Sequence, residues 1–566
     1  MNATRFARGN PRLPKLLLAG GAMLSLAALL TADATAAGFV DSTYGTAQLR
    51  TESPLSVPPV DYDQSANSSL FLTRTGDLYV AGDRRNGDGN GGTQAPTAEP
   101  TRVNFGEGVT IIDAIGSTND FHTDWTSTNS YMALDSNGGV WTWGRPYGGG
   151  GITGHGPQSD AQSRAARRVT QVEGGGPMPA IMQISRSENQ FYAIDGEGNL
   201  WAWGYDGENL PVPTSGNRAY PALANTTVAA PSTGTCATSN AGVVRWHSLW
   251  GGNNSSGAVA TNGLIYTWGH DTSNGLTATQ VNARCPALHE GPNRVLFQRY
   301  PELYQTAAGE VYDEATLTTE AARHARYLEI VEHMRPRTLA ECSTVKPAGV
   351  VDESACPVRQ YGFSARAGRL LLQTGELFTW KISTASYGDP FLGRAVTAAT
   401  PAYAPHPVSF GGSTNSLDRV VTGVSASFGL TREGVLYGWG ENNYCQAVGK
   451  PTQNGALVEA DCAEFGRDSA TGRRVDTPMP VQNLPEGQRV VRVAATQCAA
   501  WAETETRELW AWGGGTVSGA DFRYCKQPSS GHRGYKIYDY GSVTDEHPLG
   551  VPVTATTTGT MRVRGE

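Results

Sequence analysis

From residue 69 onward the chain alternates short apolar runs with glycine-centred polar turns, and one such unit recurs seven times. Its second arm reads DLYVAG (77–82), GVWTWG (139–144), NLWAWG (199–204), LIYTWG (264–269), ELFTWK (376–381), VLYGWG (435–440) and ELWAWG (508–513). Its first arm reads SLFLTRTG (69–76), YMALDSNG (131–138), FYAIDGEG (191–198), GAVATNG (257–263), RLLLQTG (369–375) and FGLTREG (428–434); the seventh, AAWAETETRE (499–508), lacks the glycine. Two β-branched and aromatic arms around Gly, Asn or Asp predict a β-hairpin, since those turn residues accept positive φ most cheaply. Side chains alternate along a strand, so Trp201 and Trp203 share one face while Leu200 and Ala202 share the other. Both faces are apolar, and such a strand must be covered on both sides.

The residues at the Trp position (Ala81, Trp143, Trp203, Trp268, Trp380, Trp439, Trp512) are 62, 60, 65, 112, 59 and 73 apart. Units of about 60 residues cannot bury two apolar faces alone, and radial stacking of seven predicts a seven-bladed β-propeller. Its inter-blade core should take Trp141, Trp143, Trp201, Trp203, Trp268, Trp380, Trp439, Trp510 and Trp512. The long fourth interval holds an insertion, 281–360, between the fourth and fifth motifs. There 313–334 predicts a helix with Ala321, Ala325, Leu328 and Val331 on one face, ended by Pro336: a helical cap or arm. The expected division is a leader (1–37), propeller (38–280), insertion (281–360), then the rest of the propeller and ring closure (361–566). The tail 547–563 resembles 477–493 and is expected to share a closing blade with residues between Gly38 and Leu70.

Composition agrees with a turn-dense β chain: 69 of 566 residues are Gly, and only 17% are charged. Arg5, Arg8, Arg12 and Lys15, the apolar run 16–30 and the small residues Ala32, Ala34 and Ala36 read as a secretory signal, too short to span a bilayer. Cleavage near Ala36 or Ala37 takes the formal charge from −8 to −11, which disfavours nucleic acid. The protein is expected to be secreted or held in the periplasm or envelope. Eight cysteines suit that oxidising setting. Sequence neighbours suggest Cys236–Cys285, Cys342–Cys356, Cys445–Cys462 and Cys498–Cys525.

The segment FGLTREGVLYGWGENNYCQAVG (428–449) keeps Leu430, Thr431, Gly434, Tyr437, Trp439, Gly440, Asn442, Gln446 and Gly449 of a known repeat. It resembles the repeat of the regulator of chromosome condensation family, and the resemblance spans about residues 40–566 apart from the insertion. That resemblance implies a seven-bladed propeller whose usual role is protein interaction. Ala81 for Trp, Lys381 for Gly and Cys445 for a usual Gly are departures, and the Gly-Gln-Leu-Gly tail is eroded in most copies.

Catalytic signatures are sparse. No GxSxG or phosphate-binding loop occurs, and GGGGITGHG (148–156) reads as a flexible loop. Glu320/His324 and Glu329/His333 are i,i+4 pairs on opposite sides of the helix, read as solvated side chains. Asn86, Asp88 and Asn90 occupy the first, third and fifth positions of a calcium loop, with Gly91 sixth but Thr97 in place of the twelfth-position Glu. A Gly/Asn turn is weighed against a weak calcium site; no other cofactor is expected. Trp125, Trp250, Tyr147, Tyr205 and Tyr444 sit among loop-forming residues as candidate exposed anchors for a protein or carbohydrate, weighed against ordinary packing. The expected function is an exported protein-binding scaffold. The alternatives are a secreted glycan-active enzyme with carboxylates at the ring's mouth, or an envelope adhesin.

Overall fold

The computed structural model describes residues 59–513 and Pro552–Val553, apart from 83–88, 92–96, 117–129, 146–151, 225–244, 335–356, 383–388, 412–416, 458–473 and gaps of one to three residues. Every one of the seven hairpins forms, and each is the middle of a four-stranded antiparallel sheet. In each sheet a first strand precedes the hairpin and a fourth follows it. The first strands are Pro59–Ser65, Ile111–Gly116, Ile181–Arg186, Trp246–Gly251, Val358–Phe363, Leu417–Thr422 and Val490–Ala495.

These first strands touch one another in chain order, and Val490–Ala495 returns to touch Pro59–Ser65. That contact shuts a ring of seven blades around an axis lined by the inner strands. Closure differs from expectation. The tail strand Pro552–Val553 does join the seventh sheet, beside Leu509–Gly513, but the N-terminal strand belongs wholly to the first. Among the described residues the ring closes by blade-on-blade packing, without a shared sheet; residues 38–58 of the expected closing stretch lie outside them.

Trp143, Trp203, Trp268, Trp380 and Trp439 are buried between blades. Trp203 packs with second-blade residues such as Met132 and Val140, while Leu200 and Ala202 pack with Trp246 and Leu249 of the fourth. The two-sided strand is thus confirmed. Trp141 and Trp201 depart from it: each indole is half-buried and donates Nε1–H to a carboxylate, Asp135 (2.8 Å) or Asp195 (2.9 Å). The side chains of Trp510 and Trp512 lie outside those described. Asp195 also accepts the amide N–H groups of Glu197 and Asn199, both at 2.9 Å, so it holds the turn and the indole together. Replacing Asp195 with Ala leaves these part-buried donors to water and should cost about 1 kcal/mol, the net worth of a typical hydrogen bond. Equilibrium urea unfolding reads this directly; an unchanged midpoint would mean water replaces the carboxylate without loss.

The described half of the loop at 148–156 is not loose. Ile152 and Thr153 are buried, and Gly154, at φ +101°, lies against the edge of Trp203 in the next blade. Gly393, at φ +62°, does the same against Trp439, whose Nε1–H donates to Phe391 O at 3.2 Å. A side chain at either glycine would meet the indole at under 3 Å.

Among its described residues the insertion carries two helices, α1 (Glu290–Arg299) and α2 (Glu320–Met334). Residues 281–288 of the stretch expected to be inserted belong to the fourth sheet's outer strand, and 358–360 to the fifth inner strand. Helix α1 escaped the sequence reading because Gly291-Pro292 signals a turn; Pro is tolerated there because first-turn N–H groups have no intrahelical partner. The helices are not a detached arm. Phe297, Tyr304, Tyr312, Tyr327 and Ile330 continue the core of blades three to five. The face expected for α2 is also corrected: Tyr327, Ile330, Val331 and Met334 are buried, whereas Ala321, Ala325 and Leu328 are exposed. The i, i+3, i+4, i+7 stripe with the larger apolar payload went inward.

Candidate functional site

Among the described residues two surfaces stand out from the blade cores. The first is the axial mouth. Each inner strand carries a bulge at its second residue: Val60, Ile112, Met182, His247, Arg359, Asp418 and Val491. A bulge leaves one residue out of the ladder and re-aims its side chain. Ile112, Met182 and Val491 are exposed there. On the far arc Asp418 pairs with Arg359 and with Arg419 Nε at 3.3 Å.

The second is the insertion. Its joint with the ring is tight: Gly291 meets the backbone of Gly275, and His289 Nδ1 lies 2.5 Å from the Tyr361 hydroxyl in the fifth inner strand. Arg294, nearly buried, donates to Glu290 on its own helix (3.0 Å) and to Glu320 on α2 (2.6 Å). Burial works against the guanidinium charge, but the two carboxylates outweigh it and raise the Arg294 pKa, while the bond from Arg294 lowers that of Glu320. His324 Nδ1 reaches Glu290 at 2.9 Å. Of the two pairs expected to be solvated on α2, Glu320 and His324 are therefore parts of an inter-helix network, whereas Glu329 meets Arg326 of its own helix at 3.1 Å. Between the helices and the segment 399–407 of the fifth blade lies an open cleft of about 840 Å³. Prolines 401, 405 and 407 and Phe378 form its apolar wall, and Arg299, Arg323, Glu314 and His406 its polar edge.

The candidate anchors are not brought together. Trp250 is on the fourth inner strand, half-buried, edge-on to Tyr361 with centroids 6.2 Å apart. It is a blade-contact residue rather than a loop anchor, because β-pairing outweighed the local Gly and Asn signal. Tyr205 is half-buried and folds over Gly207 of its own loop. Trp125, Tyr147 and Tyr444 lie outside the described residues, as do Asn86 and Asp88. Asn90 donates to Arg102 O (2.9 Å) and accepts from Asn104 N–H (2.8 Å), so both ends of its amide serve the backbone. Among the described residues no group of three His, Cys, Asp or Glu is placed to hold a metal, and no helix is long and apolar enough to cross a membrane. Cys285 is buried and disulfide-bonded; Cys236, Cys342, Cys356, Cys445, Cys462, Cys498 and Cys525 lie outside the described residues.

Histidine titration gives a pH signature. Burial, with Arg167 nearby, lowers His155 to about 4, only partly offset by its contact with Thr142. Burial also lowers His247, and burial with Arg394 lowers His406, opposed by Glu314. On acidification the unfolded chain takes up protons near pH 6.5, about the ordinary histidine value, before the folded one does. Stability is then lost as pH falls from about 6.5 towards 4 and is level above that window. Unfolding midpoints at pH 7.5 and 5.5 should differ, and His155→Gln should flatten the slope; equal midpoints for the wild type would refute this.

No protein-family model matches the chain, and neither does any curated protein. Solved structures do. Human WBSCR16 is 13% identical over 78% of this chain and 85% of its own, with a TM-score of 0.47. Prp20p from Saccharomyces cerevisiae is 15% identical over 79% and 83%, at 0.48. The CRINKLY WD40 ectodomain of the Arabidopsis thaliana receptor kinase ACR4 is 10% identical over 80% and 95%, at 0.34. The propeller fold of this chain is defined by its own seven sheets and their closure.

Proposed function

We propose that this chain is an exported scaffold that binds a protein partner through the face carrying the helical insertion. One observation carries the reading: the Arg294 network and the Gly275–Gly291 contact hold the insertion rigidly, so its open cleft is shaped before any partner arrives. Preorganisation spares binding the cost of ordering loops. The test is site-specific photo-crosslinking in intact cells, with the crosslinker at Arg323 in the cleft and, as control, at exposed Glu107. A protein adduct from 323 and none from 107 is expected; no adduct from 323, or equal adducts from both, overturns the reading. The glycan-hydrolysing alternative is less well supported, since Asp418 at the mouth faces arginines.

Export rests on the n-region and small-residue run of the leader, and N-terminal sequencing of the mature protein should begin at Ala37 or Gly38. For Cys285 the proposed partner is Cys236, the nearest preceding cysteine. The two backbone bonds of Asn90 favour the turn over a calcium loop at 86–91. Calorimetric titration with calcium should therefore give no binding heat.

A further inference from the structure

Arg369 puts a charge where the repeat has none. It is the third residue of its hairpin's first arm, and the other six blades place Leu70, Met132, Tyr192, Gly257, Phe428 and Trp501 there. Its pairing partner on the fifth inner strand is Gly362. Neither backbone nor packing demands that glycine: its φ is not left-handed, and an added Cβ would meet nothing closer than Trp250 Cβ at 3.4 Å. The same Cβ would lie 3.8 Å from both Nε and Nη2 of Arg369, so the space left by the missing side chain borders that edge of the guanidinium. Nη1–H is spent on the Thr422 hydroxyl of the sixth inner strand. Among the described residues Nε–H and Nη2–H meet no acceptor, and no carboxylate pairs with Arg369. Buried Arg186 is the contrast: it gives Nη2–H to Ser130 Oγ at 3.0 Å and Nε–H to Ser187 O at 3.2 Å. Arg369 is only part-buried, so solvent reaches it, yet burial still pushes its guanidinium down to about 10. Trp250, Gly362 and Thr422 lie near the ends of three consecutive inner strands, away from the bulged mouth. The charges of those strands at the bulged mouth, Arg359, Asp418 and Arg419, pair with one another.

We propose that the gap between Arg369 and Gly362 is a carboxylate-binding site, taking one carboxylate on Nε–H and Nη2–H with its hydrocarbon part toward Trp250. The planar fork of a guanidinium matches the two oxygens of a carboxylate, and a charge-assisted pair of this kind is stronger than a neutral hydrogen bond. One cation balances one negative charge, whereas a phosphate dianion would leave charge uncompensated in a part-buried site. The carboxylate comes from a small organic acid or from an Asp or Glu side chain of a partner protein. The competing occupants are carboxylates of this chain whose side chains lie outside those described. Asp63 holds the matching register position on the first inner strand, and Asp120, Asp124 and Glu188 lie on the connections that leave the same end of the ring. The site stands apart from the insertion, and it does not depend on that face being the partner surface.

Thermal unfolding midpoints of the full-length protein test this, with sodium propionate, chloride and phosphate titrated at constant ionic strength, and with a peptide of alternating Glu and Ser. A ligand that binds only the folded state raises the midpoint. Propionate or the peptide should give a saturable rise that chloride and phosphate do not. A response to propionate alone makes the source a free acid, to the peptide alone a protein side chain, and to both shows that the site accepts either. Arg369→Met should abolish the rise. Arg369→Lys, which loses the fork, and Gly362→Ala, which fills the space beside it, should each raise the half-saturating concentration about tenfold. Gly362→Ala adds only ordinary contacts, 3.4 Å to Trp250 and 3.8 Å to Arg369, so it keeps the fold and serves where Arg369→Met does not. Equal rises with phosphate or chloride, no rise in the wild-type protein, or a rise unaltered by Arg369→Met or Gly362→Ala would overturn the proposal. So would a rise seen only in the combined Asp63→Asn, Asp120→Asn, Asp124→Asn, Glu188→Gln variant, because the chain would then fill the gap itself.

Discussion

Trp268→Ala should give the largest loss of stability of any single repeat-position change, about 3–5 kcal/mol by the usual cost of emptying a buried aromatic site. Its indole is fully buried, edge-on to Tyr192 of the third blade at 5.5 Å and to Trp246 of its own blade at 6.3 Å. Removing it opens a void between two sheets whose strands are pinned by hydrogen bonds on both sides, so the walls cannot close in. Trp201→Ala is the contrast. That ring, two residues before the repeat Trp of the third hairpin, is half-buried, and its loss should cost clearly less. Urea unfolding of both variants decides the matter: equal losses would show that inter-blade burial does not dominate the ring's stability.

Gly291→Val should detach helix α1 from the ring. A Cβ there would sit 2.1 Å from Gly275 O and 2.6 Å from its carbonyl carbon, so the clash is with backbone, which cannot rotate away. The helix must lift, and Val295, Leu296 and Phe297 would lose their burial against the fourth and fifth blades. Overpacking of this kind exceeds the about 1–3 kcal/mol of a core methylene insertion, because whole side chains are re-exposed. Limited proteolysis should show new cleavage within 289–334, while Gly176→Ala, whose added methyl would meet only Val172 at an ordinary 3.5 Å, should leave the pattern unchanged. An intact insertion in Gly291→Val would refute the joint. The same variant should reduce crosslinking from position 323, because the cleft's helical wall would be displaced.

Much of the ring could be read from the chain because the apolar pattern is local. Alternation in NLWAWG and its six counterparts fixes which residues point to which side, and the turn glycines fix where each hairpin folds. Motif positions in 428–449 kept their offices: the Thr431 hydroxyl accepts the Val435 N–H at 3.0 Å, and Asn442 accepts the Ala447 N–H at 3.0 Å. The inner strands were less visible. Trp246–Gly251 is short, bulged and studded with Ser, His and Gly, so its strand identity comes from the neighbours it pairs with. Trp250, for which the chain leaves a loop anchor and ordinary packing both open, accordingly takes its place on a strand, edge-on to Tyr361 of the next blade.

The insertion marks the boundary more sharply. Helical periodicity gives α2 two apolar stripes of similar length, and spacing alone does not say which one turns inward. That choice was made by the space left beside Phe297, Tyr304 and Tyr312, where Tyr327 and Ile330 fit and alanines would leave holes. Blade number and hairpin facing followed from sequence alone, since each depends on contacts within about sixty residues. Ring closure, the seating of the helices and the cleft beside them were set only by the folded whole, because they depend on which distant surfaces compete to be covered.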